Sequence, residues 1–338
     1  VMLLAAVHRW GAADDDVRAL LPAARAAVRW CVEHGDLDGD GFVEYRADLK
    51  GLANQGWKDS GDAMVHADGS LAPGPVAPVE VQAYLYGAYV GLAQLEQRLG
   101  QPAAADGLLE RAERLRASFA RHFWLPTEGL VAMALDGDKR PLVVASSNIG
   151  HCLWTGLLDG DAAEAACARL AAPDLATAWG VRTLGRGERA YNPLGYHLGT
   201  VWPHDSAIAA AGLMRAGHPQ AASRVTAGLL EACEAFGWRL PELFAGLDAG
   251  EVPFPVPYPV ACSPQAWSAA APLLLLRTAL RLDPDVPAGS VTVAPVLPDD
   301  VELTVTGIRL GDADLDLRVR GSDVQVLGAP SGLDVKVG

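Results

Sequence analysis

Apolar and polar residues follow the helical period through most of this chain. Wide apolar stripes run through stretches rich in Ala, Leu, Arg and Glu, and this pattern indicates amphipathic helices. It predicts long helices over 16–34, 78–99, 103–122, 203–216, 218–236 and 263–281. Shorter helices are predicted over 147–157 and 161–171. Proline lies near several of the predicted starts, as at Pro203 and Pro219, where its missing N–H has no helical partner in any case.

Three long loops rich in Gly, Pro, Trp and Asp separate these helices, at 36–77, 172–202 and 237–262. Loops of this length are uncommon unless they carry function. Helix pairs joined by functional loops predict a mainly α fold, an (α/α)6 toroid of helical hairpins. The pattern gives about eight or nine helices, so a toroid of about twelve would be incomplete at its N-terminus. Residues 1–10 resemble the end of a helix already in progress, and we expect the natural N-terminus to lie upstream.

The apolar period changes to two near the end of the chain. Alternating segments between Gly and Pro turns predict strands over 289–293, 301–305 and 315–319. We therefore expect a partial catalytic domain over 1–285 and a small antiparallel β domain over 286–338, which carries no obvious chemistry.

Composition and charge exclude several classes of function. Half of the 338 residues are apolar, a fifth are charged, and the net charge is −14 with only 27 basic residues, spread thinly. Nucleic acid is therefore not expected as a partner, because phosphate binding needs clustered Lys and Arg. No run of about 18 apolar residues predicts a membrane span. The five cysteines form no CxxC pair and no zinc pattern, which favours reduced thiols, a cytoplasmic setting, and neither a metal nor a cofactor.

The segment 54–62 places two carboxylates three residues apart beside an indole: Trp57, Lys58, Asp59 and Asp62. A glycosidase needs a carboxylic acid that is still protonated near neutral pH, and burial against an aromatic ring favours that form. Trp57 also offers a flat apolar face to a sugar ring. The alternative is a helix cap, since Asp59 is a good N-cap residue.

A second carboxylate, Glu242, lies in a Pro-braced loop flanked by aromatics in the segment 238–246. By itself it could equally be a surface residue in a turn.

The segment 191–206 crowds aromatic and hydrogen-bonding side chains ahead of a helix, among them Tyr196, His197, Trp202, His204 and Asp205. Sugars are bound by stacking on their apolar faces and by fixed donors and acceptors at their hydroxyls. A structural role for each histidine alone is the alternative, but this density of such residues favours recognition of a polyhydroxylated ligand.

Two pairs are weaker candidates for the same site. Glu80 and Gln82 open an otherwise apolar helix, where Glu80 could instead complement the helix dipole. Trp179 and Arg182 could form a wall against a sugar, or a packed loop.

The acidic segment 36–44 imitates the first half of a Ca²⁺-binding loop. The bidentate Glu that an EF-hand requires at position twelve is replaced by Ala47. A tight acidic turn is favoured over Ca²⁺ binding.

Six segments in order along the chain resemble one family of enzymes. They are NQGWKDSGDA at 54–63, SNIGHCLWTG at 147–156, WGVRTL at 179–184, YHLGTVWPHDSAIAAAG at 196–212, RLPELFAG at 239–246 and YPVACSPQAW at 258–267. Together they resemble the bacterial amylo-α-1,6-glucosidase family, similar to the C-terminal domain of glycogen-debranching enzyme. That family belongs to the six-hairpin glycosidases, with trehalase and mannosylglycerate hydrolase.

The resemblance implies an inverting glycoside hydrolase of carbohydrate metabolism, acting on an α-glucoside or oligosaccharide. It implies Asp59 as general acid, with Asp62 its nearest rival, and Glu242 as the base that activates water. Further substrate-binding candidates implied by it are Glu80, Gln82, Trp179, Arg182, Tyr196, His197, Trp202 and Asp205, beside Trp57 and Lys58. Leu198 departs from the polar residue often found in relatives, and the upstream part that relatives possess is expected to complete the toroid.

Three other interpretations remain open from the sequence. A phosphorylase on a similar toroid would require a phosphate cradle, and no Gly-rich loop with Arg or Lys accompanies Glu242. A non-catalytic carbohydrate-binding remnant could dispense with one carboxylate, but both are present. A sugar isomerase would centre on His197 and His204. Within the hydrolase interpretation, a glycosylglycerate is an alternative substrate.

Overall fold

The structure, a computed structural model, describes residues 1–47 and 51–338. The predicted loop 36–77 therefore includes three residues, 48–50, that lie outside the description. The fold is mainly α, as predicted. Nine α-helices occur in the described residues: α1 Met2–Arg9, α2 Asp14–Trp30, α3 Val79–Arg98, α4 Pro102–His122, α5 Ile149–Thr155, α6 Gly160–Ala171, α7 Pro203–Arg215, α8 Pro219–Ala235 and α9 Ala266–Leu280.

The eight helices predicted from periodicity are confirmed, with small differences at their ends. α7 and α8 begin at the predicted prolines, and α5 ends where Gly156 adopts a left-handed conformation with φ of 78°. α2 ends earlier than predicted because its last turn widens into a π-helix over Cys31–Gly35. None of the described helices has both the length and the apolar character that crossing a membrane requires.

The chain divides into two compact units. The first consists of Val1–Arg29, Ala88–Ala112 and Leu276–Gly338, and the second of Trp30–Gly87 and Glu113–Leu275. The predicted boundary at 285/286 stays a prediction, although the last strands group with helical segments from earlier in the chain.

The second unit holds every predicted site residue. Its long loops carry six two-residue strands, paired as β1 Ala77–Pro78 with β4 Ala134–Leu135, β2 Trp124–Leu125 with β3 Leu130–Val131, and β5 Ala176–Thr177 with β6 Gly180–Val181. A buried apolar cluster that includes Met64, Met133 and Leu184 lies beneath them. Leu198, the departure from the family pattern, packs against this cluster.

Close packing of α5 on α7 depends on glycine. A Cβ at Gly150 would lie 2.9 Å from the Cα of Ala209, and one at Gly212 would lie 2.6 Å from the carbonyl oxygen of Gly150. Because the first residues of α7 include Asp205, this packing fixes the start of α7 within the unit.

The first unit contains two three-stranded sheets. The strands are β7 Asp283–Asp285, β8 Ser290–Val293, β9 Glu302–Leu310, β10 Ala313–Arg320, β11 Asp323–Gly328 and β12 Asp334–Val337. β9, β10 and β11 form an antiparallel meander, but β12 pairs with β8 in parallel. The wholly antiparallel arrangement predicted for this region is therefore wrong, because alternation indicates a strand without indicating the direction of its partner.

Candidate active site

The loop that carries Asp59 is fixed by buried polar contacts. The Tyr45 hydroxyl donates to Asn54 Oδ1 at 2.5 Å, and Asn54 Nδ2 donates to the Ser60 carbonyl at 2.5 Å. No helix begins at Asp59, so the helix-cap alternative does not apply. Asp59 is half-buried, whereas its rival Asp62 is exposed.

Glu242 is buried in its loop and held by three donors. The Tyr196 hydroxyl donates to Oε1 at 2.9 Å and the Gln265 amide to the same oxygen at 3.4 Å. The Cys262 N–H donates to Oε2 at 3.2 Å, and the Glu242 N–H donates back to the Cys262 carbonyl at 2.9 Å. Donors around both oxygens are the arrangement that suits an ionised carboxylate.

Tyr196 donates to Glu242 and also lies within the electrostatic influence of Asp59. Burial raises the pKa of its phenol, and the hydrogen bond to Glu242 and the negative charges of Glu242 and Asp59 raise it further. Two acids 183 positions apart in sequence (242 minus 59) thus act on one hydroxyl group. The phenol stays protonated near neutral pH and remains a hydrogen-bond donor to Glu242.

The Tyr196 ring belongs to a set of aromatic side chains in contact with one another. Trp57 meets His197 and His204 edge-on, with ring centroids 5.2 Å apart in both cases. His197 stacks on Trp202 at 4.9 Å with an interplanar angle of 15°. Tyr196 meets Trp202 edge-on at 4.9 Å. Trp57, Tyr196, His197, Trp202 and His204 therefore form one contiguous cluster.

Both histidines of the cluster are neutral near pH 7. Burial lowers the pKa of His197 to about 3 and that of His204 to about 4. His197 Nδ1 lies 2.9 Å from the Ser60 hydroxyl. Within the described residues, His197 Nε2, His204 Nδ1 and Trp57 Nε1 are buried without a hydrogen-bond partner. Such atoms are uncommon in folded proteins, and these three are among twelve in the described residues.

Asp205 lies in a buried polar layer under Trp57. Its Oδ1 is 2.8 Å from His151 Nε2, and His151 Nδ1 is 2.5 Å from the Tyr84 hydroxyl. Burial alone would raise the pKa of Asp205, but the hydrogen bond and charge of His151 lower it overall. Trp57 lies parallel to His151, with centroids 5.9 Å apart and an angle of 15°.

Lys58 and Glu80 belong to the same layer and are fully buried. Glu80 Oε2 accepts from Asn148 Nδ2 at 2.9 Å. Burial lowers the pKa of Lys58 to about 8, while the charges of Asp205 and Glu80 act in the opposite direction.

Three other predicted residues have their polar groups directed to the protein backbone or packed in its interior. The Gln82 side chain exchanges hydrogen bonds with both backbone groups of Val43, at 2.9 and 2.7 Å. Arg182 is fully buried, and its Nε donates to the Gly246 carbonyl at 2.7 Å. Trp179 is buried in an apolar cluster with Phe244. The structure gives these three residues positions that order the surrounding loops.

The acidic turn contains its own cation. The Lys139 ammonium lies 2.9 Å from Asp38 and 2.7 Å from Asp40, and it also pairs with Glu44. Oxygens of Asp36, Asp38 and Asp40 could together approach a metal ion. The lysine occupies the position next to these oxygens, which agrees with the preference for a tight acidic turn.

Four polar residues of the site were not singled out from the sequence: Tyr84, Asn148, His151 and Gln265. Asn148 and His151 lie in the segment 147–156 that carried part of the resemblance, and Gln265 lies in the segment 258–267. Membership in those segments was the available signal. Burial and pairing across distant segments determined their roles.

A mainly helical fold with two acidic residues near an aromatic cluster agrees with a glycoside hydrolase, and the family comparison identifies that class. The chain belongs to the family of mannosylglycerate hydrolase MGH1-like glycoside hydrolase domains, whose profile matches residues 1–238. It is thus a glycoside hydrolase by family.

Solved structures share the fold at low sequence identity. A sialidase has a TM-score of 0.75 at 13% identity, and the alignment covers 97% of this chain and 31% of the sialidase chain. The GH78 family rhamnosidase of Bacillus sp. GL1 has a TM-score of 0.60 at 15% identity, and the alignment covers 94% of this chain and 31% of the rhamnosidase chain. The GH63 mannosylglycerate hydrolase of Thermus thermophilus has a TM-score of 0.55 at 18% identity, and the alignment covers 78% of this chain and 71% of the hydrolase chain.

This chain therefore spans about a third of the length of the sialidase and of the rhamnosidase. No curated protein matches it in sequence.

Proposed function

We propose that this chain hydrolyses an α-glycosidic bond with inversion, using Asp59 as proton donor and Glu242 as general base. The observation that carries the proposal is the Tyr196 hydroxyl, which binds Glu242 at 2.9 Å and is also acted on by the charge of Asp59. In an inverting reaction one carboxyl protonates the departing oxygen while the other activates water on the opposite side of the sugar.

The surroundings of the two acids suit these different roles. Glu242 accepts three hydrogen bonds, which fixes a carboxylate in orientation for proton abstraction. Within the described part of the chain, the Asp59 carboxylate has no hydrogen-bond or ion-pair partner, so it is available to a leaving-group oxygen.

We further propose Trp57 and Tyr196, which are both partly exposed, as the sugar surface, the rings that contact the sugar at the cleaved bond. Their rings provide apolar faces for stacking. His197 and Trp202 pack against these two rings and are proposed to support them from behind, together with Glu80, Gln82, Trp179, Arg182 and Asp205, since all seven are buried.

Two substrate classes fit the proposal. The six segments that resemble amylo-α-1,6-glucosidases support an α-1,6-glucosidic branch. Membership in the MGH1-like family supports a glycosylglycerate instead, and the related Thermus thermophilus enzyme has been solved with Tris and D-glycerate. A cytoplasmic setting is also proposed, and it is supported by five free thiols.

Substitution of the two acids tests the mechanism. Asp59→Asn and Glu242→Gln should each reduce kcat by about 10²–10⁴-fold, the usual contribution of one general acid or base. Asp62→Asn is the matched control and should stay near wild type. Activity of either variant within a few-fold of wild type would remove that residue from its proposed role.

Product analysis tests the remaining parts. Proton NMR of the first-formed anomer should show β product from an α substrate, and retention would contradict the assignment of Glu242. A panel of α-1,6-glucosides, short α-glucosides and glycosylglycerates should separate the two substrate classes. Strict dependence on added phosphate would instead indicate a phosphorylase.

A further inference from the structure

Lys58 lies next to the proposed acid in sequence, but its ammonium points into the protein. The side chain is fully buried, and Nζ donates to the Thr183 carbonyl at 2.6 Å. Nζ also lies 3.8 Å from the sulfur of Met133 and 5.6 Å from the ring centroid of Trp57. A substrate cannot reach this ammonium, so the contact predicted from the sequence is replaced by an internal one.

The acceptor of this bond is itself firmly held. The Thr183 N–H donates to the Thr200 carbonyl at 2.9 Å, and the Gly199 N–H donates to Thr183 Oγ1 at 2.9 Å. Thr183 therefore belongs to the same bonded framework as the loop 196–202, which carries Tyr196. Through these hydrogen bonds Lys58 connects the loop that carries Asp59 with the loop 196–202, whose Tyr196 donates to Glu242.

The residue on the other side of Asp59 is also anchored. The Ser60 hydroxyl lies 2.9 Å from His197 Nδ1, and the Ser60 carbonyl accepts from Asn54 Nδ2 at 2.5 Å. The Asp59 carboxylate has no such contact of its own within the described residues. Its location is consequently set by its two neighbours, Lys58 and Ser60.

Resting on the proposed function, we propose that Lys58 is a positioning residue that holds Asp59 where it can protonate the leaving group. Two buried carboxyl groups act electrostatically on the ammonium, those of Asp205 at the start of α7 and Glu80 at the start of α3. His197, the imidazole that acts on it electrostatically, is neutral. The buried cation is therefore compensated from both helices and fixed against Thr183.

Two substrates with different leaving groups distinguish a positioning role of Lys58 from a merely structural one. Departure of an alkoxide requires a proton from Asp59, whereas fluoride departs without one. Both reactions still need Glu242, the sugar surface and a folded chain. A displaced Asp59 should therefore slow hydrolysis of an alkyl α-glycoside and leave hydrolysis of the matching α-glycosyl fluoride nearly unchanged.

The experiment compares Lys58→Met in the full chain with wild type on these two substrates, using the sugar identified by the substrate panel. A misplacement of about 1 Å can cost about 100-fold in rate, so kcat on the alkyl glycoside should fall by about that factor. The fluoride should react within about threefold of wild type. An equal loss on both substrates, or no loss on either, would overturn the proposal.

Two further variants make the result decisive. Lys139→Met removes an ammonium elsewhere in the same unit that pairs with Asp38, Asp40 and the buried Glu44, and it should change both reactions by the same factor. Lys58→Gln keeps an N–H donor without a charge. If Lys58→Met shows no cooperative unfolding and is therefore not folded, Lys58→Gln is tested in its place. The same separation between the two substrates is expected for it.

Asp59→Asn distinguishes failure of this inference from failure of the proposed function. If Asp59→Asn separates the two substrates and Lys58→Met does not, the role of Lys58 is refuted while the acid stands. If Asp59→Asn leaves the alkyl glycoside reaction intact, the proposed function itself fails.

Discussion

Tyr196→Phe removes the hydroxyl that contacts the proposed base and leaves the ring in place. The lost bond is 2.9 Å long and runs to a carboxylate oxygen. A hydrogen bond to a charged group contributes about 1.5–3 kcal/mol, which corresponds to about 10- to 150-fold in rate. Because Cys262 and Gln265 still donate to Glu242, we expect the lower part of that range, about 10- to 30-fold.

The assay is kcat and KM on the best α-glycoside at constant pH. The loss should appear mainly in kcat, because the bond orients the base that acts in the transition state. Tyr191→Phe is the matched control, since its hydroxyl donates to the Gly246 carbonyl at 3.2 Å and not to Glu242. A Tyr196→Phe enzyme with kcat within twofold of wild type would refute the reasoning that Tyr196 orients Glu242.

Three further predictions concern stability in the second unit. Asp205→Ala leaves the buried Nε2 of His151 without its hydrogen-bond partner and should lower the free energy of unfolding by about 1–3 kcal/mol in urea denaturation. His204 has a folded pKa of about 4 against about 6.5 unfolded, so the unfolded chain binds a proton first as pH falls. Stability should thus drop by about 2 kcal/mol per such site between pH 8 and 5, and His204→Phe should flatten this slope. Gly246→Ala would place a Cβ 1.7 Å from the Gly199 carbonyl and should cost about 3 kcal/mol, seen as a lower Tm.

Each of these has a control and a contrary outcome. Asp62→Ala alters an exposed acid and should leave stability unchanged, so an equal effect at Asp62 would argue against a buried pair. A pH slope that His204→Phe leaves unaltered would assign the proton uptake to other groups. Gly187→Ala meets no atom within 4 Å. A Tm for Gly246→Ala equal to that of Gly187→Ala would contradict the close approach of the two loops.

The helical part of the fold could be read from the sequence because its determinants are local. The apolar period and prolines at helix starts predicted eight helices, including the start of α7 at Pro203. The π-helical turn at Cys31 and the parallel pairing of β12 with β8 could not be predicted. These depend on which segments meet, and periodicity carries no information about that.

The sequence by itself determined the helices, the loops that separate them and the residue types that a glycosidase site requires. Only the tertiary structure decided that Tyr196 donates to Glu242 and that other predicted residues, such as Lys58, Gln82 and Arg182, are turned inward. The physical reason is the cost of leaving buried polar groups unpaired. That cost directs each side chain to a partner far away in sequence, and a linear pattern does not record the distance between the two.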